Sequence, residues 1–172
     1  MSRVLVAHAT YHGSTRSIAE HIADRLRADG HDAECRPVAT VDGVASYDVV
    51  IAGSAVHGQA WLPEGVAFLR RTSGELAGRP VWLFSVGMPG ALLRWMQRWA
   101  MQEEPKIVAP LRAFVRPEEH RLFSGVIEKS HLPLGGRIAL HAMGARYGDY
   151  RDWPQIDAWA DRISTSLAVA AG

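Results

Sequence analysis

The stretch RVLVAHATYHGSTRSIAEHIA, at residues 3–23, decides the fold of this chain. A short apolar run at residues 4–7 predicts a buried strand, and a polar turn at residues 8–15 follows it. Ile18, Ala19, Ile22 and Ala23 then recur at helical spacing, which predicts an amphipathic helix. A strand, a loop of hydroxyl side chains and glycine, and the start of a helix therefore follow one another.

This order of elements suits the binding of a phosphate group. The free N–H groups of a helix N-terminus attract anions, and the helix dipole adds partial positive charge there. Thr10, Ser14 and Thr15 offer hydroxyl donors, and Gly13 lets the backbone approach an anion closely. The loop has no lysine and no GxGxxG motif, which points to a terminal monophosphate. The alternative is an ordinary turn in which Ser14 only caps the helix.

The composition is that of an ordinary globular domain. The chain has 172 residues, 48% hydrophobic and 22% charged, so a single domain over residues 1–172 can hold a full core. A net charge of +1 gives no field that would recruit nucleic acid. The single cysteine suits a reducing compartment, and neither a signal peptide nor an apolar run of membrane-spanning length is visible. We therefore expect a cytoplasmic protein.

The remaining chain alternates apolar runs with helical patterns. Such alternation predicts an α/β fold, a doubly wound five-stranded parallel sheet with helices on both faces. The predicted strands are residues 31–38 (at an edge), 47–54, 80–86 and 120–127, the last interrupted by Gly125; the predicted helices are residues 62–71, 92–101, 133–145 and 153–167. Little or no helix is expected between the second and third strands.

In such a sheet, ligands bind outside the carboxyl ends of the strands. Two further strand ends are followed by loops of glycine and small polar residues, which would converge with the first loop at that edge. One loop would hold a phosphate and the other two the sides of a flat ring, which is the geometry of a flavin mononucleotide (FMN) site. The candidate contacts are Ser54, Ala55, Val56, His57 and Gly58 in the second loop, and Ser85, Val86, Gly87, Met88 and Gly90 in the third.

Individual residues of these loops have competing interpretations. A peptide at Gly58 could flip beside the flavin N5, and glycine makes that flip cheap. His57 and Trp61 could stack on or edge the ring, or Trp61 could be a core residue and His57 a surface histidine. The N–H groups of residues 86–90 could bond the pyrimidine edge of the ring, or Gly87 and Gly90 could form an ordinary turn at positive φ.

The first loop, Thr10-Tyr11-His12-Gly13-Ser14-Thr15, resembles the T/S-x-T/S-G-x-T theme of the flavodoxin superfamily, with Tyr11 and His12 at its variable positions. Within the superfamily, nearly the whole chain is similar to the menaquinone-dependent protoporphyrinogen oxidase family. The resemblance includes residues 123–126 (FSGV) and the tail at residues 147–153 (YGDYRDW). It implies a flavodoxin-like fold and an FMN-dependent oxidoreductase that oxidises protoporphyrinogen or a related donor and passes electrons to a quinone.

One segment departs from that family. Where the family has a longer, more basic insertion near the fifth strand and helix, this chain has residues 92–106 with Trp95, Met96, Trp99 and Met101. This cluster is either the core face of a helix or an apolar lid for a quinone or tetrapyrrole. As a lid it would have Arg94 and Arg98 beside it to meet propionates, and contact with a membrane surface is a further alternative.

Other classes of site are not indicated. The histidines are dispersed and no cysteine joins them, so no metal site is expected. A phospho-receiver would need acids where this chain has His8 and Ser54, and a GxSxG motif is absent. No side chain stands out as an acid or base, so the flavin would carry the chemistry. The alternatives are a flavodoxin-type electron carrier that acts on a redox partner protein, or a flavin-free interaction domain.

Overall fold

Five parallel strands form the centre of the computed structural model, which describes residues 1–88, 104–128 and 146–170. The strands of the chain are β1 (Arg3–Ala9), β2 (Asp32–Pro37), β3 (Val49–His57), β4 (Ala60–Trp61), β5 (Val81–Gly87), β6 (Glu119–Ser124), β7 (Val126–Ile127) and β8 (Gly148–Asp149). The parallel order is β2-β1-β3-β5-β6, with β4 antiparallel to β3. A separate antiparallel ribbon pairs β7 with β8. The predicted fold class is confirmed.

Helices cover both faces of this sheet. They are α1 (Ser14–Ala28), α2 (Pro63–Leu76), α3 (Glu104–Val108) and α4 (Trp153–Ala170), with 3-10 turns at Val38–Thr40 and Ala109–Ala113. Pro63 occupies the first turn of α2, where its missing N–H leaves no bond unmade. Gly30, at φ +87°, follows the end of α1, as glycine does in a left-handed helix stop.

The helices pack in two layers because their apolar residues recur at helical spacing. On one face, Ile18 and Ile22 of α1 meet Trp159 and Ile163 of α4 over β1, β3 and β5. The inward positions predicted for α4 are confirmed, because Ile156, Trp159, Ala160 and Ile163 are all buried. On the other face, Phe68 and Leu69 of α2 pack with residues 107–115.

The last predicted strand is divided in the structure. Residues 120–127 read as one interrupted run, whereas the structure divides them at Gly125 into β6 and β7. The edge strand is confirmed, since β2 pairs with β1 alone among the described strands, and Pro37 lies at its end, where a missing N–H is tolerated. The predicted helices at residues 92–101 and 133–145 lie outside the described residues, as do Arg94, Trp95, Met96, Arg98, Trp99 and Met101.

The connection from β2 to β3 contains a 3-10 turn in place of a helix, and α2 side chains hold it. The Arg71 guanidinium donates to the carbonyls of Val38 and Val41 at 2.6 and 2.8 Å. The Glu75 carboxylate accepts from the N–H of Val44 at 2.7 Å. These bonds satisfy backbone groups that a helix would otherwise satisfy internally.

Candidate functional site

The first loop turns the chain from β1 into α1 through a left-handed residue. Gly13 has φ +92°, and its N–H donates to Thr10 Oγ1 at 2.9 Å. The first intrahelical bond runs from the N–H of Ser17 to the carbonyl of Gly13 at 3.0 Å. The N–H groups of residues 14–16 precede that bond and belong to the anion-attracting end of the helix.

The side chains of this loop fall into three classes. Thr15 is fully buried, and its Oγ1 has no hydrogen-bond partner among the described residues. Ser14 and Thr10 are half-buried. Tyr11 is 76% exposed and meets the ring of the exposed His12 edge to face, with centroids 4.6 Å apart. A buried hydroxyl without a partner is costly in a folded protein, so Thr15 marks a place that an external acceptor could satisfy.

A cavity of about 760 Å³ adjoins the loop, a size typical of ligand pockets. On one side it is lined by the loop and the first turn of α1. On the other side it is lined by the β7–β8 ribbon and by residues that flank it. The lining residues are His12, Gly13, Ser14, Ser17, Val126, Ile127, Glu128, Tyr147, Gly148, Asp149 and Arg151.

The second loop is a tight hairpin between β3 and β4. His57 pairs with Ala60, and the two residues between them, Gly58 and Gln59, both have positive φ. Positive φ at both central positions is the requirement of a type I′ hairpin turn, which favours glycine. Both His57 and Gly58 are exposed, whereas Ala55 and Val56 are half-buried.

Two serines near the carboxyl ends of β3 and β5, Ser54 and Ser85, are fully buried and hydrogen-bonded within the protein. Ser54 Oγ accepts from the N–H of Leu62 at 3.0 Å and donates to the carbonyl of Ala55 at 2.9 Å. Ser85 Oγ accepts from Trp61 Nε1 at 2.7 Å and lies 2.8 Å from His120 Nε2. Both side chains are buried and already hydrogen-bonded within the protein, which disfavours a side-chain contact with a ligand at either position.

Trp61 is 5% exposed and belongs to the core on the α2 face. Its indole N–H is used by Ser85. Of its two interpretations, the core residue fits this position, and stacking on a ring does not. His57, by contrast, has an exposed side chain at the turn.

In the third loop, Val86 is buried, Gly87 is half-buried and Met88 is 41% exposed, while Gly90 lies outside the described residues. Gly87 is not among the described glycines with positive φ, so a left-handed turn there is wrong. Its carbonyl accepts from the N–H of Gly125 at 2.9 Å. In register, Ala9 pairs with Ser54 and Ser54 with Ser85, so the three loops leave one edge of the sheet side by side.

The sequence pattern includes Gly125 and Arg151 but does not identify either as a site residue. A Cβ at Gly125 would lie 2.8 Å from Val86 Cγ1 and 3.0 Å from Ser14 Oγ, so the third and first loops meet against it. Arg151 lines the cavity and makes a bidentate ion pair with Asp149, in which the shorter N–O distance is 2.6 Å. That bond lowers the pKa of the Asp149 carboxyl and raises the pKa of the Arg151 guanidinium. The signals were the interruption at Gly125 and the tail motif.

His8 lies at the end of β1, before the loop. It is 5% exposed, and its Nδ1 has no hydrogen-bond partner within residues 1–88, 104–128 and 146–170. Burial lowers the pKa of His8; Glu20 has a smaller effect that raises it, and Arg16 a smaller one that lowers it further. His8 is therefore a neutral imidazole at neutral pH.

The described residues contain no group of three or more histidine, cysteine, aspartate or glutamate side chains that could hold a metal ion. None of the helices among them is long and apolar enough to cross a membrane.

Comparison with known proteins identifies the family. A family model described as a flavodoxin domain matches residues 5–152, which is most of the chain. The chain belongs to the flavodoxin domain family. Membership indicates FMN as the cofactor and electron transfer as the general activity. No curated protein matches the chain.

Solved structures share the fold at low sequence identity. A flavodoxin from Streptococcus pneumoniae TIGR4 is 16% identical at a TM-score of 0.59, over 95% of this chain and 98% of that one. The two-electron reduced flavodoxin of Megasphaera elsdenii is 22% identical at 0.51, over 83% and 99%. The rubredoxin oxygen:oxidoreductase of Desulfovibrio gigas is 16% identical at 0.60, over 97% of this chain. This chain spans 36% of that enzyme's length.

The described residues fit FMN. A phosphate needs donors and a close backbone, and the first loop supplies a left-handed glycine, a helix N-terminus and the unpartnered Thr15 hydroxyl. A flat ring needs backbone along its edges, and the strand ends after Ser54 and Ser85 lie beside that loop. The protoporphyrinogen oxidase family is a finer assignment that these comparisons leave as a resemblance.

Proposed function

We propose that this protein is an FMN-dependent oxidoreductase whose cofactor is held by the three loops at the carboxyl edge of the sheet. The observation that carries the proposal is Thr15, a buried hydroxyl without a partner among the described residues, in the first turn of α1 behind Gly13. A cofactor phosphate would supply the acceptor that this hydroxyl lacks. When bound, FMN would accept electrons from a donor and release them to an acceptor.

Each loop has its own task in this proposal. Thr10, Tyr11, His12, Gly13, Ser14 and Thr15 form the phosphate turn, in which the hydroxyls and N–H groups donate to the anion. Ser54, Ala55, Val56, His57 and Gly58 edge the ring through backbone groups. Ser85, Val86, Gly87, Met88 and Gly90 do the same on the other side. Gly58 is in the left-handed turn of the hairpin, where its neighbouring peptide is exposed and able to reorient.

For the substrate class, we infer a reduced tetrapyrrole such as protoporphyrinogen as donor and a quinone as acceptor. The support is the resemblance of the tail at residues 147–153 and the net charge of +1. Electron carriers that dock on basic partners gain from strong acidity, which this chain does not have.

The second candidate is an electron carrier that acts only on a redox partner protein. It is favoured by one observation: the chain spans 98% and 99% of the length of two flavodoxins in the fold comparison. On that candidate, electrons would pass between the exposed edge of the cofactor and a docked protein.

Reconstitution tests the shared part of both candidates. The protein is mixed with FMN and dialysed, and its absorbance spectrum is recorded before and after anaerobic reduction. We expect stoichiometric FMN at micromolar protein, and riboflavin, which lacks the phosphate, should bind more weakly. Failure to retain FMN under these conditions would contradict the proposal.

A turnover assay then separates the candidates. The reconstituted protein receives protoporphyrinogen and a soluble quinone without oxygen, and porphyrin formation is followed by fluorescence. Steady turnover supports the enzyme. Absence of turnover, together with rapid electron exchange with a redox protein, supports the carrier.

A further inference from the structure

The tail after β8 is joined to the first turn of α1. Arg151 Nη1 donates to Ser17 Oγ at 2.7 Å, across 134 residues of sequence. The Ser17 hydroxyl in turn donates to the carbonyl of Ser14 at 2.8 Å, and the Ser17 N–H donates to the carbonyl of Gly13. Through Ser17, the guanidinium therefore reaches the two residues that open the helix.

The guanidinium is itself fixed in direction. Its Nε and Nη2 donate to the two carboxylate oxygens of Asp149 at 2.9 and 2.6 Å, and the carboxylate also accepts the N–H of Arg151 at 3.0 Å. The ring centroid of Trp153 lies 4.7 Å from the guanidinium carbon of Arg151, and the Arg151 side chain is 21% exposed. A planar group held on two edges and one face loses little further freedom when it binds Ser17.

The same tail is joined to the third loop. The N–H of Tyr150 donates to the carbonyl of Gly125 at 3.1 Å, and the N–H of Gly125 donates to the carbonyl of Gly87. Gly125 also lies against Ser14. Segment 148–151 therefore connects the first loop with the third. Three of its residues, Gly148, Asp149 and Arg151, line the cavity beside the first loop.

An ordinary surface ion pair would explain Arg151 and Asp149 but not the bond to Ser17. Exposed pairs elsewhere join residues on one element or on two packed elements, as Arg27 does with Asp24 and Arg25 with Asp161. Such pairs contribute little to stability. Arg151 instead bonds to a helix turn whose N–H groups precede the first intrahelical bond and are free to orient on an anion.

We propose that Arg151 is a positioning residue for the cofactor phosphate: it holds the first turn of α1 through Ser17, so that the turn's N–H groups and hydroxyls are already directed at the anion. The proposal rests on FMN being the cofactor. It assigns the tail motif Gly148-Asp149-Tyr150-Arg151 a task at the phosphate end of the site, and Asp149 the task of aiming the guanidinium.

The test measures affinity for FMN and for riboflavin in four proteins: wild type, Arg151→Met, Ser17→Ala and the double variant. Ser17→Ala breaks the link and keeps the charge of Arg151. We expect each single variant to weaken FMN binding roughly tenfold and the double variant to weaken it no further, because both break the same link. Riboflavin binding should change less than about twofold, since riboflavin has no phosphate to meet the turn.

Arg27→Met is the matched control, because it removes one positive charge at the other end of the same helix, about 20 Å away. It should leave both affinities unchanged. Equal weakening for FMN and riboflavin, additive effects in the double variant, or a normal FMN affinity in Ser17→Ala would each overturn the proposal. If wild type itself retains no FMN, the proposed function fails instead, so the two failures are distinguishable.

Discussion

Three fully buried hydroxyls lie at or after the carboxyl ends of neighbouring strands, two in strands and one in the first turn of α1, yet they differ in their hydrogen-bond partners. Ser54 and Ser85, at the second and third loops, use their hydroxyls within the protein. Thr15, at the first loop, has a hydroxyl with no partner among the described residues. Residue type and burial are similar in all three, so neither decides the role. The difference supports the proposal that the first loop binds a ligand's phosphate, whereas the hydroxyls of Ser54 and Ser85 bond within the protein.

The glycines of the two regions differ in the same way. Gly13 has φ +92°, and nothing lies within 4 Å of a Cβ built on it. Gly53 precedes the second loop, and a Cβ there would lie 2.0 Å from the ring of Phe84. The first glycine is required by backbone conformation and the second by close packing.

The largest expected effect is that of Gly53→Ala. Because the added methyl would overlap a buried ring at the centre of the sheet, we expect the free energy of unfolding to fall by about 3 kcal/mol or more. Urea denaturation measures it. Gly13→Ala is the control, and its left-handed strain should lower stability by only about 1–2 kcal/mol. Equal losses at the two positions would remove the contrast.

Ser85→Ala comes next. It leaves the buried Trp61 N–H without its acceptor, so we expect about 1–3 kcal/mol of lost stability, measured by thermal or urea unfolding. Ser73→Ala, which removes an exposed hydroxyl that donates to the carbonyl of Arg70, is the matched control and should be nearly neutral. A neutral Ser85→Ala would mean that its hydroxyl is not needed inside the protein.

Thr15→Val should show the opposite pattern. The substitution keeps the shape and removes a hydroxyl that has no partner among the described residues, so the stability of the free protein should be unchanged or slightly higher. FMN affinity should fall roughly tenfold, measured by flavin fluorescence titration. Thr72→Val, at a buried threonine whose hydroxyl donates to the carbonyl of Phe68 at 2.8 Å, is the control. It should lose stability and keep its FMN affinity; the reverse result would refute the comparison.

The smallest effect concerns His8, which is buried before the first loop. Burial lowers its pKa below the ordinary 6.5, so the unfolded chain takes up a proton at a higher pH than the folded chain does. Its contribution to stability is present above pH 6.5 and is lost as the pH falls through the folded pKa. We expect His8→Gln to reduce the loss of unfolding free energy between pH 7 and pH 5. An identical pH profile in the variant would show that folding does not change the pKa of His8.

The strands and first helix could be predicted from sequence because their signals are local. Continuous apolar runs at β1, β3 and β5 can be satisfied only in a sheet covered on both faces, and the spacing of Ile18 and Ile22 fixes the inward face of α1. The order of loops at the carboxyl edge then follows from parallel pairing. Gly13 was predicted for close approach, and the structure adds the left-handed conformation.

The roles of single side chains could not be predicted, because their partners lie far along the chain. Ser85 bonds to Trp61 and His120, which are 24 and 35 residues away, and no local pattern records either distance. From sequence alone, Trp61 fits either a core position or a contact with the ring, and only its indole bond to Ser85 decides between them. Arg151 stands in a motif that was noticed only by resemblance, and its bond to Ser17 depends on the packing of α4 beside α1.

The bond between Arg151 and Ser17 also bears on how the protein is made. The first turn of α1 is translated 134 residues before Arg151, the residue that holds it in the proposal above. A nascent chain therefore carries the proposed phosphate turn before Arg151 is present. We expect FMN to be captured only after residue 151 has left the ribosome, so ribosome-bound chains stalled after residue 128 should not retain the cofactor.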